Sequence, residues 1–304
     1  MGITANCVRF LFYAKQQSVS FQKTLMLGRL NLYASKEDIK KNILLFKNNV
    51  RSVDEAGFKD EYSEPLFEIL GSETIDSIDY SNYEKATIIH DLNEPVPDSL
   101  KGKFTAIVDG GTIEHVFNFP QAIKNCMEML AVGGHYTGIT PVNNTMGHGF
   151  YQFSPELYFN IFRNENGFRV KKIIIYVQYP DGSYSVWYEV MDPQKVKNRV
   201  MLSNSNPTYI MVIAEKIANV PVFLKTPQQS DYETLWTIKQ AINENKKPAQ
   251  ESSIKFLYRK IMPKRAKILL RNIYDLFTKE RIVNEDLGKI DETHFKKIII
   301  EYQN

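Results

Sequence analysis

Two histidines in the middle of the chain are the side chains best suited to acid–base chemistry. His148 lies between two glycines in the polar run 143–152, and His115 follows directly after a glutamate. Histidine is the side chain whose unperturbed pKa lies closest to neutral pH. Flanking glycines let the backbone bring an imidazole ring close to a ligand. We therefore interpret His148 as a candidate general base and His115 as a second catalytic candidate that orients the site.

Several short apolar runs end in, or lead directly into, an acid or a glycine. These runs and the residues at their ends are 23–27 with Gly28, 74–79 with Asp79, 86–90 with Asp91, and 105–108 with Asp109, Gly110 and Gly111. A carboxylate can accept two hydrogen bonds at once, and a glycine allows a ligand to approach the backbone. Asp and Gly are also among the commonest turn formers, so a turn at the end of a strand is the alternative interpretation of each position.

The segment 104–153 shows how these residues would be positioned. An apolar run at 105–108 predicts a strand, and apolar residues at helical spacing over 119–130 predict a helix. The glycine pair at 133–134 predicts the end of that helix, and 136–140 predicts the next strand. Two strands joined by one helix form a parallel crossover unit. Such sheets bind ligands beyond the carboxyl ends of their strands, where the acids and histidines lie.

The rest of the chain extends this alternation. Residues 4–20 predict a first helix, and five strands alternate with helices up to residue 140. Two long β-branched runs, 169–179 and 208–215, could then pair antiparallel. Between them lies a polar insertion that contains Trp187 and Tyr188.

Five short patterns in order resemble the Rossmann-like S-adenosylmethionine-dependent methyltransferases. They are Val108-Asp109, Glu114-His115-Val116, the run 130–134 that ends in Gly133-Gly134, Pro141, and Gly167-Phe168. The resemblance covers about residues 23–216 and implies an α/β fold with a doubly wound, mostly parallel, seven-stranded sheet whose last strand is antiparallel. It implies three parts: an N-terminal helical cap at 1–22, the cofactor-binding domain at 23–226, and a basic C-terminal helical extension at 227–304.

The resemblance also implies S-adenosylmethionine as the cofactor and assigns roles to the strand-end residues. Asp79, with Asp76 as the second choice, would bind the ribose diol, and Asp91 would accept a hydrogen bond from the adenine amino group. Asp109 and Gly110, with Gly111, would line the methionine end, where a carboxylate can meet the ammonium group.

The loop after the first strand departs from the family pattern. The family has several glycines there, whereas residues 27–33 contain only Gly28. Arg29 could compensate by pairing with the methionine carboxylate of the cofactor. The departure also leaves open a second interpretation, a catalytically inactive binding or scaffold module. A nicotinamide-dependent oxidoreductase is less favoured, because the loop lacks the three glycines that hold a pyrophosphate.

The loop 143–152 predicts the kind of acceptor. Its candidate acceptor-binding side chains are Asn143, Asn144, Tyr151 and Gln152. Amides and aromatic rings suit a small polar or glycan-type acceptor. We therefore predict O-methylation of a sugar, a nucleotide-sugar or a phosphorylated intermediate of surface-polysaccharide synthesis. His148 would take the proton of a hydroxyl acceptor.

The amino-acid composition is that of an ordinary globular protein and argues against several special classes of protein. The net charge is +3 over 304 residues, too small to predict nucleic-acid binding, and the two cysteines do not form a disulfide framework. No apolar run reaches membrane-spanning length and the first residues make a poor signal peptide, so we predict a cytoplasmic protein. No group of His, Cys, Asp and Glu has the sequence spacing of a metal site. The oligomeric state is left open.

The C-terminal segment 254–281 is basic and carries interleaved apolar residues. A basic amphipathic element of this kind could contact an anionic membrane or a charged acceptor. The alternative, which we favour, is a helix packed on the domain with a solvated basic face.

Overall fold

The computed structural model of the chain describes residues 2–47, 50–196, 202–230, 232, 263, 282–284, 288–290 and 295–300. The helices are α1 (Ala5–Gln16), α2 (Lys36–Phe46), α3 (Glu64–Ile69), α4 (Phe119–Met129), α5 (Pro155–Ile161) and α6 (Pro193–Val196). The strands are β1 (Gly2–Ile3), β2 (Lys23–Leu27), β3 (Asn31–Leu32), β4 (Thr74–Asp79), β5 (Ile88–Ile89), β6 (Phe104–Asp109), β7 (Leu130–Asn143), β8 (Phe168–Val177), β9 (Trp187–Val190), β10 (Thr208–Lys216), β11 (Ile282–Asn284), β12 (Gly288–Ile290) and β13 (Phe295–Ile298).

One large sheet organises the molecule, in the order β13-β9-β8-β10-β7-β6-β2-β4-β5. The five strands from β7 to β5 are parallel, whereas β10 lies antiparallel between β7 and β8. Chain order reverses at β2, with β4 on one side and β6 on the other, which is the topological switch point where open α/β sheets bind ligands. The predicted α/β fold with an antiparallel last strand is confirmed, and β9 and β13 extend the sheet beyond seven strands.

Both faces of this sheet are covered by helices, which accounts for the apolar character of its central strands. Ala106, Ile107 and Val108 of β6 face alternate sides: Ile107 packs with α4 and α5, and Ala106 and Val108 pack with α1, α2 and α3. Phe104, which precedes an irregularity in the pairing, lies on the same side as Ile107. The buried central strands therefore hold in place the edge of the sheet where the loops after β2, β4, β6 and β7 lie.

The glycine pair at 133–134 has a different role from the predicted one. Helix α4 ends at Met129, and Gly133 and Gly134 lie inside β7. Gly133 has a φ of +83°, and a Cβ on Gly134 would lie 3.0 Å from the carbonyl oxygen of Phe104. The glycines thus permit the irregular start of the β6–β7 pairing, whose register shifts after Phe104.

The predicted polar insertion around Trp187 and Tyr188 is also wrong. Both residues belong to β9, which pairs antiparallel with β8. Both side chains are buried, and the indole Nε1 of Trp187 donates a hydrogen bond to Oδ1 of Asn6, 3.1 Å away. Burial of these two rings stabilises β9, whose polar neighbours in sequence led to the prediction of an insertion without a strand.

The predicted helical extension at 227–304 contains strands where the structure describes it. β11 and β12 form an antiparallel pair, and β13 pairs with β9 at the edge of the large sheet. The basic segment 254–281 lies outside the described residues except for Pro263. Among the helices that the structure describes, none is long and apolar enough to cross a membrane.

Candidate functional site

The strand ends that the sequence singled out meet at one edge of the sheet. Leu27 of β2 pairs with Ile78 of β4 on one side and with Asp109 of β6 on the other. On the next strand pairs, Asp79 lies opposite Ile89, and Asp109 lies opposite Gly138. The register therefore brings the predicted cofactor residues and the loop after β7 to a common edge.

Asp79 and Asp91 are partly exposed at this edge. Oδ1 of Asp79 accepts a hydrogen bond from the backbone N–H of Ser81, 3.1 Å away. Oδ1 of Asp91 accepts from the backbone and side-chain amides of Asn93, at 2.9 and 2.7 Å. Those hydrogen bonds lower the pKa of Asp91. Each acid keeps its Oδ2 without a hydrogen bond among the described residues, so each can still accept one from a ligand.

Asp109 has a structural environment instead of a ligand-facing one. Its side chain is buried, and Oδ1 accepts from three backbone N–H groups, of which that of Thr112 is nearest at 2.8 Å. Oδ2 accepts from the hydroxyl of Tyr136 at 2.7 Å. Burial raises the pKa of Asp109. The carboxylate holds the turn after β6, so it does not present itself to a cofactor ammonium as predicted.

Gly28, Gly110 and Gly111 do allow unusual or close backbone geometry. Gly28 has a φ of +72° and Gly111 a φ of +95°, values that favour glycine. A Cβ on Gly110 would lie 2.9 Å from a methyl group of Leu30. The buried Leu30 side chain of the first loop thus occupies the space beside Gly110.

Arg29 is already paired within the protein. Its Nε donates to Glu64 at 2.6 Å, and its guanidinium lies 3.5 Å from Asp60 and 3.8 Å from the ring centre of Tyr62. Arg29 would have to give up these contacts before it could pair with the carboxylate of a cofactor.

The amides predicted to bind the acceptor mostly brace their own loop. The side-chain nitrogen of Asn144 donates to the backbone oxygens of Asn204 and Asn206, at 3.0 and 2.8 Å. Asn143 donates to the side chain of Asn204 at 3.3 Å. These contacts tie the end of β7 to the segment before β10.

Tyr151 and Gln152 close the same loop from its other end. The hydroxyl of Tyr151 donates to the backbone oxygen of Phe117 at 2.7 Å. The side-chain oxygen of Gln152 accepts from the backbone N–H and the hydroxyl of Thr145, at 3.1 and 2.9 Å. These polar groups therefore shape the loop that carries His148.

The structure brings His115 and His148 together around a third residue, Glu114. Nε2 of His148 lies 3.3 Å from Oε1 of Glu114, and the two imidazole ring centres are 5.0 Å apart. One ligand atom from each of the three side chains lies within 4.8 Å of the other two. We call this set the Glu114–His115–His148 cluster. Both histidines are exposed, whereas Glu114 is 1% exposed.

The electrostatic state of the cluster follows from its burial. Burial, and then the nearby charge of Asp109, raise the pKa of Glu114 to about 8. Burial, followed by the neighbouring His148, lowers the pKa of His115. Oε2 of Glu114 is buried and has no hydrogen-bond partner among the residues that the structure describes. The cluster thus combines a buried acid with spare acceptor capacity and two imidazoles open to solvent.

Backbone contacts fix the loop over Glu114. The N–H of Phe150 donates to the backbone oxygen of Glu114 at 2.8 Å. Gly149 has a φ of +71°, and a Cβ there would lie 2.9 Å from the same oxygen. The glycine after His148 is therefore required for the loop to approach Glu114.

The sequence identified both histidines as candidates and placed Glu114 at the same edge, but it assigned Glu114 no role and did not indicate that the three side chains converge. The prediction that no group of side chains has the spacing of a metal site was based on residues close in sequence. His148 lies far from Glu114 in sequence, on the loop after β7. The sequence feature that could have identified Glu114 is its position in Glu114-His115-Val116, one of the patterns that resemble the methyltransferase family. Two exposed rings follow the histidines two residues on in the sequence: Phe117 is 73% exposed and Phe150 is 66% exposed, with ring centres 5.9 Å apart.

Solved structures resemble the chain at low identity. The YcgJ protein from Bacillus subtilis is 8% identical, covering 69% of this chain and 99% of its own, with a TM-score of 0.37. TehB from Haemophilus influenzae is 11% identical, covering 67% of this chain and 61% of its own, with a TM-score of 0.34. A Leishmania major SAM-dependent methyltransferase is 14% identical, covering 68% of this chain and 72% of its own, with a TM-score of 0.35.

No protein-family model and no curated protein matches the chain. The fold assignment therefore rests on the strand order and on the antiparallel position of β10. Together they define a Rossmann-like α/β fold of the kind that the sequence resemblance implied.

Proposed function

We propose that the protein is an S-adenosylmethionine-dependent methyltransferase that methylates an oxygen of a polar acceptor at the Glu114–His115–His148 cluster. The observation that carries this proposal is the cluster itself. The half-exposed imidazole of His148, on a loop where glycines flank it, lies 3.3 Å from the buried carboxyl group of Glu114. Both residues lie beyond the carboxyl ends of the parallel strands.

The nucleoside end of the cofactor fits the described residues. Asp79 and Asp91 are partly exposed at the edge, and each has an oxygen free to accept a hydrogen bond. Gly28 and Gly111 adopt positive φ angles, which supports close backbone approach at this edge. In this proposal Asp79 binds the ribose diol and Asp91 the adenine amino group.

The methionine end must be held differently from the sequence prediction. Asp109 is buried with both oxygens hydrogen-bonded, and Arg29 is paired with Glu64. Backbone groups at Gly110 and Gly111 are then the remaining predicted contacts for this end. When bound, S-adenosylmethionine supplies a methyl group on a sulfonium, a leaving group that needs no further activation.

The protein's part in the reaction is alignment and proton removal. Holding two reactants in line can contribute several orders of magnitude to the rate. His148 faces solvent on one side and Glu114 on the other, so it can orient an acceptor hydroxyl and take its proton while Glu114 orients the ring. The new bond joins the acceptor oxygen to the methyl carbon. The electron pair of the broken carbon–sulfur bond stays on sulfur.

A sugar-type hydroxyl acceptor is supported by the surroundings of the cluster. Phe117 and Phe150, each two residues after one of the histidines, present two neighbouring exposed rings, which suits an acceptor with both an apolar face and hydroxyl groups. An acceptor from surface-polysaccharide synthesis is one member of this class.

The experiment that tests the proposal is calorimetry of the full chain with S-adenosylhomocysteine and with NAD. We expect S-adenosylhomocysteine to bind and NAD to give no heat. Asp79→Ala should weaken binding by about 1.5–3 kcal/mol, because a charge-assisted hydrogen bond is lost. Tyr83→Ala is a matched control, since Tyr83 is 91% exposed near the same strand end. Equal affinity of Asp79→Ala and wild type would refute the cofactor assignment.

A binding module without catalysis is the second candidate. The observation that favours it is Leu30, whose buried side chain fills the space beside Gly110 in a first loop with one glycine. If neither S-adenosylmethionine nor its product binds, this second function replaces the first.

A further inference from the structure

We propose that Glu114, His115 and His148 bind a divalent transition-metal ion of the zinc or cobalt type. Two imidazoles and one carboxylate are the protein ligands of many catalytic metal sites, in which open positions remain for water or substrate. Three side chains of these types, and no others, form such a group within the described part of the chain.

The geometry is close to that of a metal centre. Ligand atoms held about 2.1 Å from one ion can lie at most about 4.2 Å from each other. Oε1 of Glu114 and Nε2 of His148 are already 3.3 Å apart, and all three ligand atoms fall within 4.8 Å of one another. The full 4.8 Å spacing is wider than a metal centre allows, so metal binding requires the exposed imidazoles to move closer to Glu114.

A second observation points independently to a missing partner. Oε2 of Glu114 is buried and accepts no hydrogen bond from the described residues, although the residue is 1% exposed. A buried acceptor left unsatisfied is costly and rare in folded proteins. A cation that the carboxylate bound through both of its oxygens would satisfy Oε2 as well as Oε1. Asp109, the other buried acid nearby, has hydrogen bonds at both oxygens and offers no such opening.

The donor set selects among metals. Imidazole nitrogen suits Zn²⁺, Co²⁺ and Fe²⁺, whereas Mg²⁺ prefers carboxylate and water oxygens. We therefore expect Zn²⁺ and Co²⁺ to bind much more tightly than Mg²⁺. Because His148 is about half exposed, the open coordination positions face solvent.

Binding of the cation does not depend on methyl transfer, but its consequence for turnover rests on the proposed function. A bound cation would take His148 out of proton transfer and hold the acceptor oxygen itself. The hydroxyl proton then leaves to water, because coordination to a divalent cation makes a bound O–H more acidic.

The test is titration of the chelator-treated full chain with Co²⁺, followed by its visible absorption, and with Zn²⁺ and Mg²⁺ by calorimetry. We expect one Co²⁺ per chain, displaced by Zn²⁺ and not by Mg²⁺. His148→Ala and Glu114→Gln should each raise the Kd at least about 100-fold, since even loss of an outer partner of a ligand costs about 10–100-fold. His90→Ala, which removes a histidine outside the cluster, should leave the Kd unchanged.

The outcomes separate this proposal from the proposed function. Absence of saturable Co²⁺ binding, or binding that survives both His148→Ala and Glu114→Gln, overturns the metal site. Circular dichroism confirms that each variant is folded, and His148→Ala changes only an exposed side chain. The titration contains no S-adenosylmethionine. Failure of cofactor binding in a chain that still binds Co²⁺ would therefore refute the methyltransferase alone.

Discussion

Asp109 and Glu114 are two buried acids on the same stretch of chain after β6, yet the protein holds them in different ways. Asp109 accepts three backbone hydrogen bonds at one oxygen and a hydroxyl hydrogen bond at the other. Glu114 has one nearby imidazole at Oε1, and its Oε2 has no hydrogen-bond partner among the described residues. An unsatisfied buried oxygen costs about 1–3 kcal/mol. The satisfied acid therefore stabilises the fold, whereas the unsatisfied acid belongs to the site that we propose.

The largest expected effect tests the functional side of this comparison. In the chelator-treated chain, His148→Ala should lower turnover of a hydroxyl acceptor about 10²- to 10⁴-fold, because it removes the group that orients and deprotonates the acceptor. Affinity for S-adenosylhomocysteine should be nearly unchanged, since Asp79 and Asp91 lie on other strands. Steady-state kinetics and calorimetry measure the two quantities. Unchanged turnover and acceptor affinity would remove His148 from the site and shift attention to His115.

The structural side of the comparison predicts a large loss of stability when Asp109 is replaced and no such loss when Glu114 is replaced. Asp109→Ala leaves several buried donors unpaired and should lower the free energy of unfolding by about 3 kcal/mol. Glu114→Gln keeps the side-chain volume and removes an acid whose pKa is raised by burial, so it should not lower the free energy of unfolding at neutral pH. Urea denaturation measures both. Equal destabilisation by the two variants would break the distinction between them.

In the loop that brings His148 to Glu114, substitution of Gly149 should be harmful, whereas substitution of Gly147 should be tolerated. Gly149→Ala combines a positive φ with a Cβ 2.9 Å from the backbone oxygen of Glu114. It should cost about 1–2 kcal/mol of stability and reduce turnover, because the loop must shift. Gly147→Ala is the matched control, since a Cβ there meets nothing within 4 Å. Similar behaviour of the two variants would show that the loop is not held against Glu114.

The smallest effect concerns pH. Burial raises the pKa of Asp109 in the folded protein above its unfolded value. Its contribution to stability is therefore complete below the unfolded pKa and is lost as pH rises through the folded pKa. Asp109→Asn has no titrating group there. From about pH 4 upward, the wild type should thus lose stability relative to this variant, and parallel urea titrations at several pH values should show it. A stability difference that does not change with pH would contradict the assignment.

Local patterns were sufficient for most of the fold. The predicted strands at 23–27 and 74–79 match β2 and β4 residue for residue, and the long runs at 169–179 and 208–215 pair antiparallel as expected. These runs are apolar or β-branched and are bounded by turn residues, so each carries its own signal. β9 was missed because its signal depends on the burial of Trp187 and Tyr188 by distant residues.

The candidate site was predictable by residue type and less so by role. His115 and His148 were identified from their neighbours in sequence, and the structure brings them together. Asn144, Tyr151 and Gln152 were expected to meet the acceptor, but their polar groups bind the protein itself. A sequence shows that a polar side chain is present and does not show which partner it finds first.

The sequence by itself determined the order of helices and strands, the antiparallel final pair, the strand-end acids and the two histidines. Periodicity and turn chemistry are local properties that a linear pattern records. Only the tertiary structure decided which acid is satisfied and which is not. That outcome depends on donors contributed by separate parts of the chain, such as the Tyr136 hydroxyl at Asp109 and the His148 imidazole at Glu114. Packing therefore separated a structural carboxylate from the one that we assign to the site.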